Sequence, residues 1–352
     1  MTEVISFERA LEASEEINGN RHLLLGNGFS IACRPEDFSY GNLFEEADLT
    51  GLGVDGRELF GLFGTADFER VIEALRRSEE VLRLYGGDPA TAERLHADAA
   101  LVKEALADVL ARKHPDAVYS IEDDEYRAAR VFLANFDGGI YTVSYDLLLY
   151  WTLLQDGEPE IDHDDGFRAD PDEPDAEWVV WDGFGNYAQR IHFLHGGLHL
   201  FDTGSQLKKI TWRRTGIPLV DQIRDALAEN VYPRVVTEGT SEEKLARIEH
   251  SPYLHRGLKS LKACHGTLFV HGHSLDPNDE HVLRRIEDSR VEALFVSLHG
   301  DPDSEDNRRI AERARLMAER RAENEAGRQA RYRKQLEVRF YDADSAAVWG
   351  TE

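Results

Sequence analysis

The sequence predicts a Rossmann-like α/β fold, with a mainly parallel sheet, helices on both faces and a helical insertion. Strand-like segments rich in β-branched and aromatic residues alternate with helical periodicity along most of the 352 residues. This alternation is typical of a parallel sheet, and we expect a single domain over residues 1–352. The segments assigned to strands are His22–Leu25, Ile140–Val143, Arg190–Leu194, Arg234–Thr237, Thr267–His271, Ala293–Leu298 and Leu336–Tyr341.

Three stretches interrupt the alternation. Residues 67–136 predict a helical insertion beside the sheet that could close over a ligand. Its helical patterns cover Asp67–Tyr85, Pro89–Lys113 and Ile121–Phe136. Residues 156–177 carry eleven acidic side chains and one arginine among Gly and Pro, which predicts a mobile acidic loop with no fixed ligand spacing for a cation. Residues 304–334 are rich in Glu and Arg and predict a charged helix leading to the last strand.

The composition limits the partners of the chain. Its formal net charge of −26 opposes direct binding of nucleic acid or of an anionic membrane. An acidic excess with only eight lysines is the surface expected of a protein adapted to high salt.

No apolar run is long enough to cross a bilayer, and the amino terminus does not resemble a signal peptide, so we expect a cytoplasmic protein. Cys33 and Cys264 can form neither a zinc ribbon nor a disulfide framework.

Four motifs follow strand-like segments, in the order GNGFS at Gly26–Ser30, TVSYD at Thr142–Asp146, LHG at Leu194–Gly196 and GHSLDPND at Gly272–Asp279. In this order they resemble the sirtuin-like NAD-binding superfamily, in a prokaryotic branch without the four-cysteine zinc module of its deacetylases. The resemblance implies NAD as ligand or substrate. It also implies a domain of the type found in antiviral defence systems, which cleave NAD to nicotinamide and ADP-ribose.

The first motif is a glycine loop after a strand. Gly26, Asn27, Gly28 and Ser30 match the loop of the family, and the resemblance places them against the cofactor diphosphate. Glycine also lets backbone N–H groups come close to a phosphate, because no Cβ intervenes. The alternative interpretation is a tight turn between a strand and a helix.

The second and third motifs supply the candidate catalytic residues, Ser144 and His195. His195 matches the catalytic histidine of the family, and an imidazole can accept a proton near neutral pH. The alternative for His195 is a buried histidine satisfied by a backbone carbonyl. Ser144 stands where active relatives carry asparagine, and its shorter hydroxyl puts turnover in question without excluding binding. Thr142 and Asp146 match the same motif as cofactor-binding residues, although Asp146 could instead cap the helix that starts at Leu147.

Gly272, Ser274, Asp276 and Asp279 match the late motif. The resemblance implies that they lie near the adenine ribose, as the small and acidic residues of this motif do in the superfamily. Carboxylates accept hydrogen bonds from ribose hydroxyls, which is an independent reason for acidic residues at a strand end. A helix cap explains Asp276 equally well.

Three functions remain open at this stage. The first is an NAD glycohydrolase that takes a small dinucleotide, and the second is a non-catalytic sensor of NAD or ADP-ribose. The third is a metal-dependent phosphoesterase, suggested by imidazoles at His192, His195, His199, His271 and His273. No acidic ligand pattern accompanies these imidazoles, so we expect no metal. A protein partner in a defence assembly and a homo-oligomer also remain open.

Overall fold

The computed structural model of the chain describes residues 2–17, 19–35, 43–65, 68–112, 118–183, 189–204, 206–210, 218–229, 231–236, 240–326 and 335–350. The strands are β1 (Val4–Ile5), β2 (Arg21–Leu25), β3 (Ile140–Thr142), β4 (Phe167–Ala169), β5 (Trp178–Trp181), β6 (Ile191–Phe193), β7 (Gly196–Asp202), β8 (Leu207–Ile210), β9 (Tyr232–Val235), β10 (His265–His271), β11 (Arg290–Leu298) and β12 (Glu337–Asp342). The first helices are α1 (Phe7–Glu15), α2 (Gly28–Cys33), α3 (Leu43–Glu46), α4 (Gly56–Leu62), α5 (Phe68–Leu84), α6 (Pro89–Arg112) and α7 (Asp123–Leu133). The others are α8 (Leu148–Leu154), α9 (Leu219–Ala228), α10 (Ser241–Glu249), α11 (Pro252–Ala263), α12 (Glu280–Asp288) and α13 (Glu305–Glu325).

The larger sheet has seven strands in the order β1-β12-β11-β10-β2-β3-β6, and every neighbouring pair is parallel. The central strands are apolar runs, and Leu268, Phe269 and Val270 of β10 are fully buried. Such runs are expected where helices cover both faces of a parallel sheet. The predicted fold class is therefore confirmed.

Helices cover the two faces of this sheet. On one face Phe7 of α1 packs against Phe132 of α7 and Phe269 of β10, with ring centroids 5.3 and 6.0 Å apart. On the other face the hydroxyl of Tyr141 in β3 lies 2.8 Å from Ser260 Oγ in α11. The sheet is thus the middle layer of three, and the helices leave its strand ends uncovered by these two layers.

A second sheet was not predicted. It is antiparallel, in the order β4-β5-β8-β7-β9. The segment Arg234–Thr237, which we expected in the parallel sheet, contributes β9 to this second sheet, where it pairs with β7; Thr237 lies outside the described residues. A short strand pattern identifies an extended segment but not the strand that pairs with it.

The expectation of a mobile acidic loop at 156–177 is wrong in its middle part. Phe167–Ala169 forms β4, which pairs with β5. Nearby, Asp165 forms an ion pair with Lys209 of β8. A lysine more than forty residues further along the chain thus neutralises part of the acidic charge, and sequence composition does not show such a partner.

The helical predictions agree with the described part of the chain. Helices α5, α6 and α7 occupy the predicted insertion, and α13 occupies the predicted charged helix; residues 67, 113–117 and 327–334 lie outside the described set. Helix α7 packs on the sheet, whereas the described residues of α5 and α6 do not line the cleft at its edge. The described part of the insertion therefore does not close over that cleft. Across the described residues, no helix combines the length and the apolar character needed to cross a membrane.

Candidate functional site

A cleft of about 1290 Å³ lies at the carboxyl ends of the parallel strands. Strand β2 is central to it, because β3 and β6 follow on one side of β2 and β10, β11 and β12 on the other. Open α/β sheets bind their ligands at such a reversal of strand order. Of the residues predicted from sequence, the cleft wall includes Asn27, Gly28, Ser144, His195, Gly272, Ser274 and Asp279.

The glycines bring two turns into backbone contact. Gly26 N–H donates to His271 O at 2.9 Å, and Gly28 N–H donates to Gly272 O at 2.8 Å. A Cβ on Gly28 would lie 2.6 Å from the Cα of Gly272. The N–H groups of both loop glycines are therefore bonded to the end of β10 and to the turn after it, and the contact of the glycine loop with a diphosphate stays a prediction. The tight-turn interpretation accounts for the glycines.

Asp146 anchors the wall around Ser144. Ser144 Oγ donates to Asp146 Oδ2 at 2.7 Å, and Ser30 Oγ donates to the same oxygen at 2.5 Å. The other oxygen accepts the N–H of Leu148 at the start of α8, and Thr142 Oγ1 accepts the N–H of Ser144 at 3.0 Å. Ser30, Thr142 and Asp146 are buried and do not line the cleft. They hold Ser144 in place, and Asp146 acts at the helix start.

His195 belongs to a buried cluster that sequence reasoning found only in part. Its Nε2 lies 2.9 Å from Nε2 of His281 and 3.8 Å from Oδ1 of Asp279. The same Oδ1 accepts from Lys244 Nζ at 3.0 Å, and Oδ2 lies 3.3 Å from His273 Nε2. His281 and Lys244 were missed because each lies on a helix, where its spacing looks like ordinary surface periodicity. The two-residue spacing of Asp279 and His281 was the available signal.

Local structure fixes these side chains. Helix α10, which carries Lys244, begins with a capping box in which Thr240 Oγ1 accepts from Glu243 N–H and Glu243 Oε2 accepts from Thr240 N–H. The N–H of His281 donates to Ser241 Oγ at 2.8 Å, so the starts of α10 and α12 are tied together. Such caps satisfy N–H groups that a helix start leaves unpaired.

Burial determines the protonation states in the cluster. It lowers the pKa of His195 to about 3, with His281 and Lys244 adding to the effect and Asp279 opposing it. Burial also lowers the pKa of His281 to about 4. Burial alone would raise the pKa of Asp279, but His273, His195 and Lys244 hold it well below its usual range. At neutral pH the cluster therefore presents two neutral imidazoles beside an ionised carboxylate.

Several other predicted residues have structural roles. Asp276 Oδ1 accepts from Asn278 N–H at 3.0 Å and caps the turn Pro277–Asp279, as the alternative interpretation expected. His192 is stacked on Tyr141 and His199 on Tyr150, and neither histidine lines the cleft. These two imidazoles pack inside the protein and do not support the phosphoesterase interpretation.

The sheet defines an α/β protein of the Rossmann-like class, with a cleft at the reversal of strand order. The chain belongs to DUF4917, a family of domains of unknown function, whose profile matches residues 23–349. No curated protein matches it.

Two solved structures are similar to the chain. One is described as "Structural Basis for the Mechanism and Regulation of Sir2 Enzymes", with 12% identity, a TM-score of 0.34 and coverage of 89% of this chain and 98% of the other. The second is described as "The Structural basis of Sirtuin Substrate Affinity", with 12% identity, a TM-score of 0.39 and coverage of 90% and 99%.

Proposed function

We propose that this protein binds NAD in the cleft and hydrolyses the bond between nicotinamide and ribose. The observation that carries the proposal is the convergence of Ser144, His195 and Asp279 on one cleft, although they follow three different strands. Ligand pockets typically measure about 300–1,000 Å³. A cleft of about 1290 Å³ therefore has room for an extended dinucleotide.

The reaction requires modest chemistry from the protein. Loss of nicotinamide passes through an oxocarbenium-like state, as in glycoside hydrolysis. A water oxygen bonds to the ribose C1′, the electron pair of the broken bond goes to the nicotinamide ring, and one proton is released. Asp279 is the carboxylate for a ribose hydroxyl, Ser144 positions ribose or water, and His195 takes up the proton. Since the pKa of His195 is about 3, its ring is always ready to accept but is a weak base, which predicts slow turnover.

Incubation of the purified chain with NAD, at low and at high salt, tests the proposal. Chromatography should show nicotinamide and ADP-ribose accumulating together, and His195→Ala should lower the rate at least about a hundredfold. His96→Ala is the matched control, because this histidine is an exposed residue of α6. Unchanged product formation by His195→Ala would remove His195 from the mechanism.

Replacement of Ser144 by asparagine should increase turnover by about tenfold to a hundredfold. An amide can donate and accept at the same time and extends further than a hydroxyl, and Ser144 lines the cleft, where a longer side chain has space. Steady-state kinetics should show the gain in kcat. Ser144→Ala is the comparison variant, and equal rates for the two variants would contradict this role of position 144.

A sensor that binds NAD without cleaving it is the second candidate. One observation favours it. The Ser144 hydroxyl donates its only proton to Asp146, so it cannot also donate to a bound ribose or water. A rise in melting temperature with NAD, with no product after prolonged incubation, would identify the sensor.

A further inference from the structure

We propose that His195, Asp279 and His281 form a binding site for one divalent transition-metal ion in the wall of the cleft. Each residue offers one ligand atom, and these atoms all lie within 4.8 Å of one another. This inference goes beyond the proposed function and does not depend on it. The two roles of His195 belong to different forms of the protein, because a ring nitrogen that ligates an ion cannot also accept a proton, so His195 takes up the proton only in the ion-free chain. The inference also differs from the absence of metal that the sequence led us to expect.

The donor set defines the kind of ion. Two imidazole nitrogens and one carboxylate oxygen suit Zn²⁺, Mn²⁺, Fe²⁺ or Co²⁺ better than Ca²⁺ or Mg²⁺, which prefer oxygen ligands. Three protein ligands leave a coordination position open, as in catalytic sites and unlike closed structural sites. His195 and Asp279 line the cleft, so this position faces the space where a ligand or water can enter. A bound ion there would polarise a water molecule.

Neighbouring groups lie behind two of the three ligands, His281 and Asp279. Ser241 Oγ lies 3.0 Å from Nδ1 of His281, which leaves Nε2 of that ring directed at His195. On the other side of Asp279, Oδ2 lies 3.3 Å from His273 Nε2, while Oδ1 lies 3.8 Å from Nε2 of His195. Partners behind the ligands, which fix ring and carboxylate orientation, are a regular feature of metal sites.

The two imidazoles face each other inside the protein. Both rings are buried, and a metal ligand must be a deprotonated ring nitrogen. Without an ion, two neutral rings at 2.9 Å require one N–H to donate to the other ring nitrogen.

Lys244 competes with the ion. Its ammonium group lies 3.0 Å from Asp279 Oδ1, the oxygen nearest to His195. A divalent cation at the three ligands therefore has to displace this ammonium or share the oxygen with it. It follows that Lys244→Met should tighten metal binding, by about tenfold, whereas removal of a true ligand should weaken it.

The test is a titration of the EDTA-treated full chain with Co²⁺ and with Zn²⁺, followed by calorimetry and by visible absorption of Co²⁺. We expect one ion per chain, with affinity lowered at least about tenfold by His281→Gln and by Asp279→Asn. His299→Ala is the control, because this histidine also lines the cleft but lies outside the triad.

X-ray absorption of the wild-type chain loaded with one Zn²⁺ removes any dependence on variants that fail to fold. It should show two imidazole ligands, and fewer than two would overturn the site. Absence of stoichiometric binding, or variants that bind like the wild type, would also overturn it and would identify the cluster as a metal-free hydrogen-bonded pair. The titration contains no NAD, so its failure leaves the proposed function untouched.

Discussion

Acidification from pH 7 to about pH 5 is expected to remove most of the stability of the folded protein. Burial lowers the pKa of five histidines in the fold, two of them to about 3 and three to about 4. They are His192 and His195, and then His22, His271 and His281. An unfolded histidine has a pKa of about 6.5, so the unfolded chain binds protons first as the pH falls.

The sign follows from this order. Stability is complete above about pH 6.5 and is lost as the pH falls toward 4, by about 1.4 kcal/mol per histidine and pH unit. His195 and His281 are in contact, so their contributions are not independent. Even three independent contributions would remove several kcal/mol by pH 5, when a typical domain has only about 5–15 kcal/mol in total.

Urea unfolding at pH 7.5, 6.5 and 5.5, followed by fluorescence, should show the loss. His192→Phe is expected to flatten the pH dependence by about one proton, because phenylalanine keeps the stacking on Tyr141 and cannot titrate. His192 Nε2 has no hydrogen-bond partner among the described residues, so the only other contact that the substitution removes is that of Nδ1 with Gln189 Nε2, at 3.2 Å. The exposed His299 gives the control, His299→Gln. A midpoint that stays constant from pH 7.5 to 5.5 would contradict the prediction.

The parallel sheet could be predicted because its strands are buried on both faces and read as apolar runs. Leu268, Phe269 and Val270 are three consecutive apolar residues, and all three are fully buried. The antiparallel sheet could not be predicted, because its strands other than the buried β7 carry partly exposed or charged residues, such as Lys208 and the buried Lys209 in β8. The start of β7 at Gly196 was also hidden, since a glycine after His195 looks like the end of a strand. Its positive φ of 78° turns the chain directly into the second sheet.

The site was predictable where its residues follow parallel strands. Ser144, His195 and Asp279 line one cleft because carboxyl ends of parallel strands meet at one edge of the sheet. Lys244 comes from a helix that tertiary packing brings to that edge, and no local pattern records such packing, whereas the spacing of His281 from Asp279 was the one local signal for that histidine. The role of Gly28 and Gly272 was the least predictable part of the site. A phosphate contact and a close approach of two backbone turns both require a residue without a Cβ, so the sequence does not distinguish them.

Replacement of Gly272 by alanine decides between these two roles of glycine. Gly272 has a φ of 67°, and a Cβ there would lie 2.6 Å from the Cα of Gly28 and 2.7 Å from the N of Phe29. Both neighbours are backbone atoms, so they cannot rotate away. We expect the free energy of unfolding to fall by about 2–4 kcal/mol, the sum of left-handed strain and overpacking. Urea unfolding with an unchanged m-value would measure it.

Gly86→Ala is a closely matched control for this variant. Gly86 has a φ of 68°, nearly the value at Gly272, but an added Cβ would meet nothing within 4 Å. The free energy of unfolding should therefore fall by only about 1–2 kcal/mol in this variant, which is the cost of the left-handed strain. The excess loss in Gly272→Ala measures the contact of the two turns, and NAD affinity should fall with it because Gly28 and Gly272 both line the cleft. Equal stability of the two variants would show that the turns separate freely. If Gly272→Ala were no less stable than Gly86→Ala but bound NAD more weakly, a phosphate contact would be the reason for the glycine.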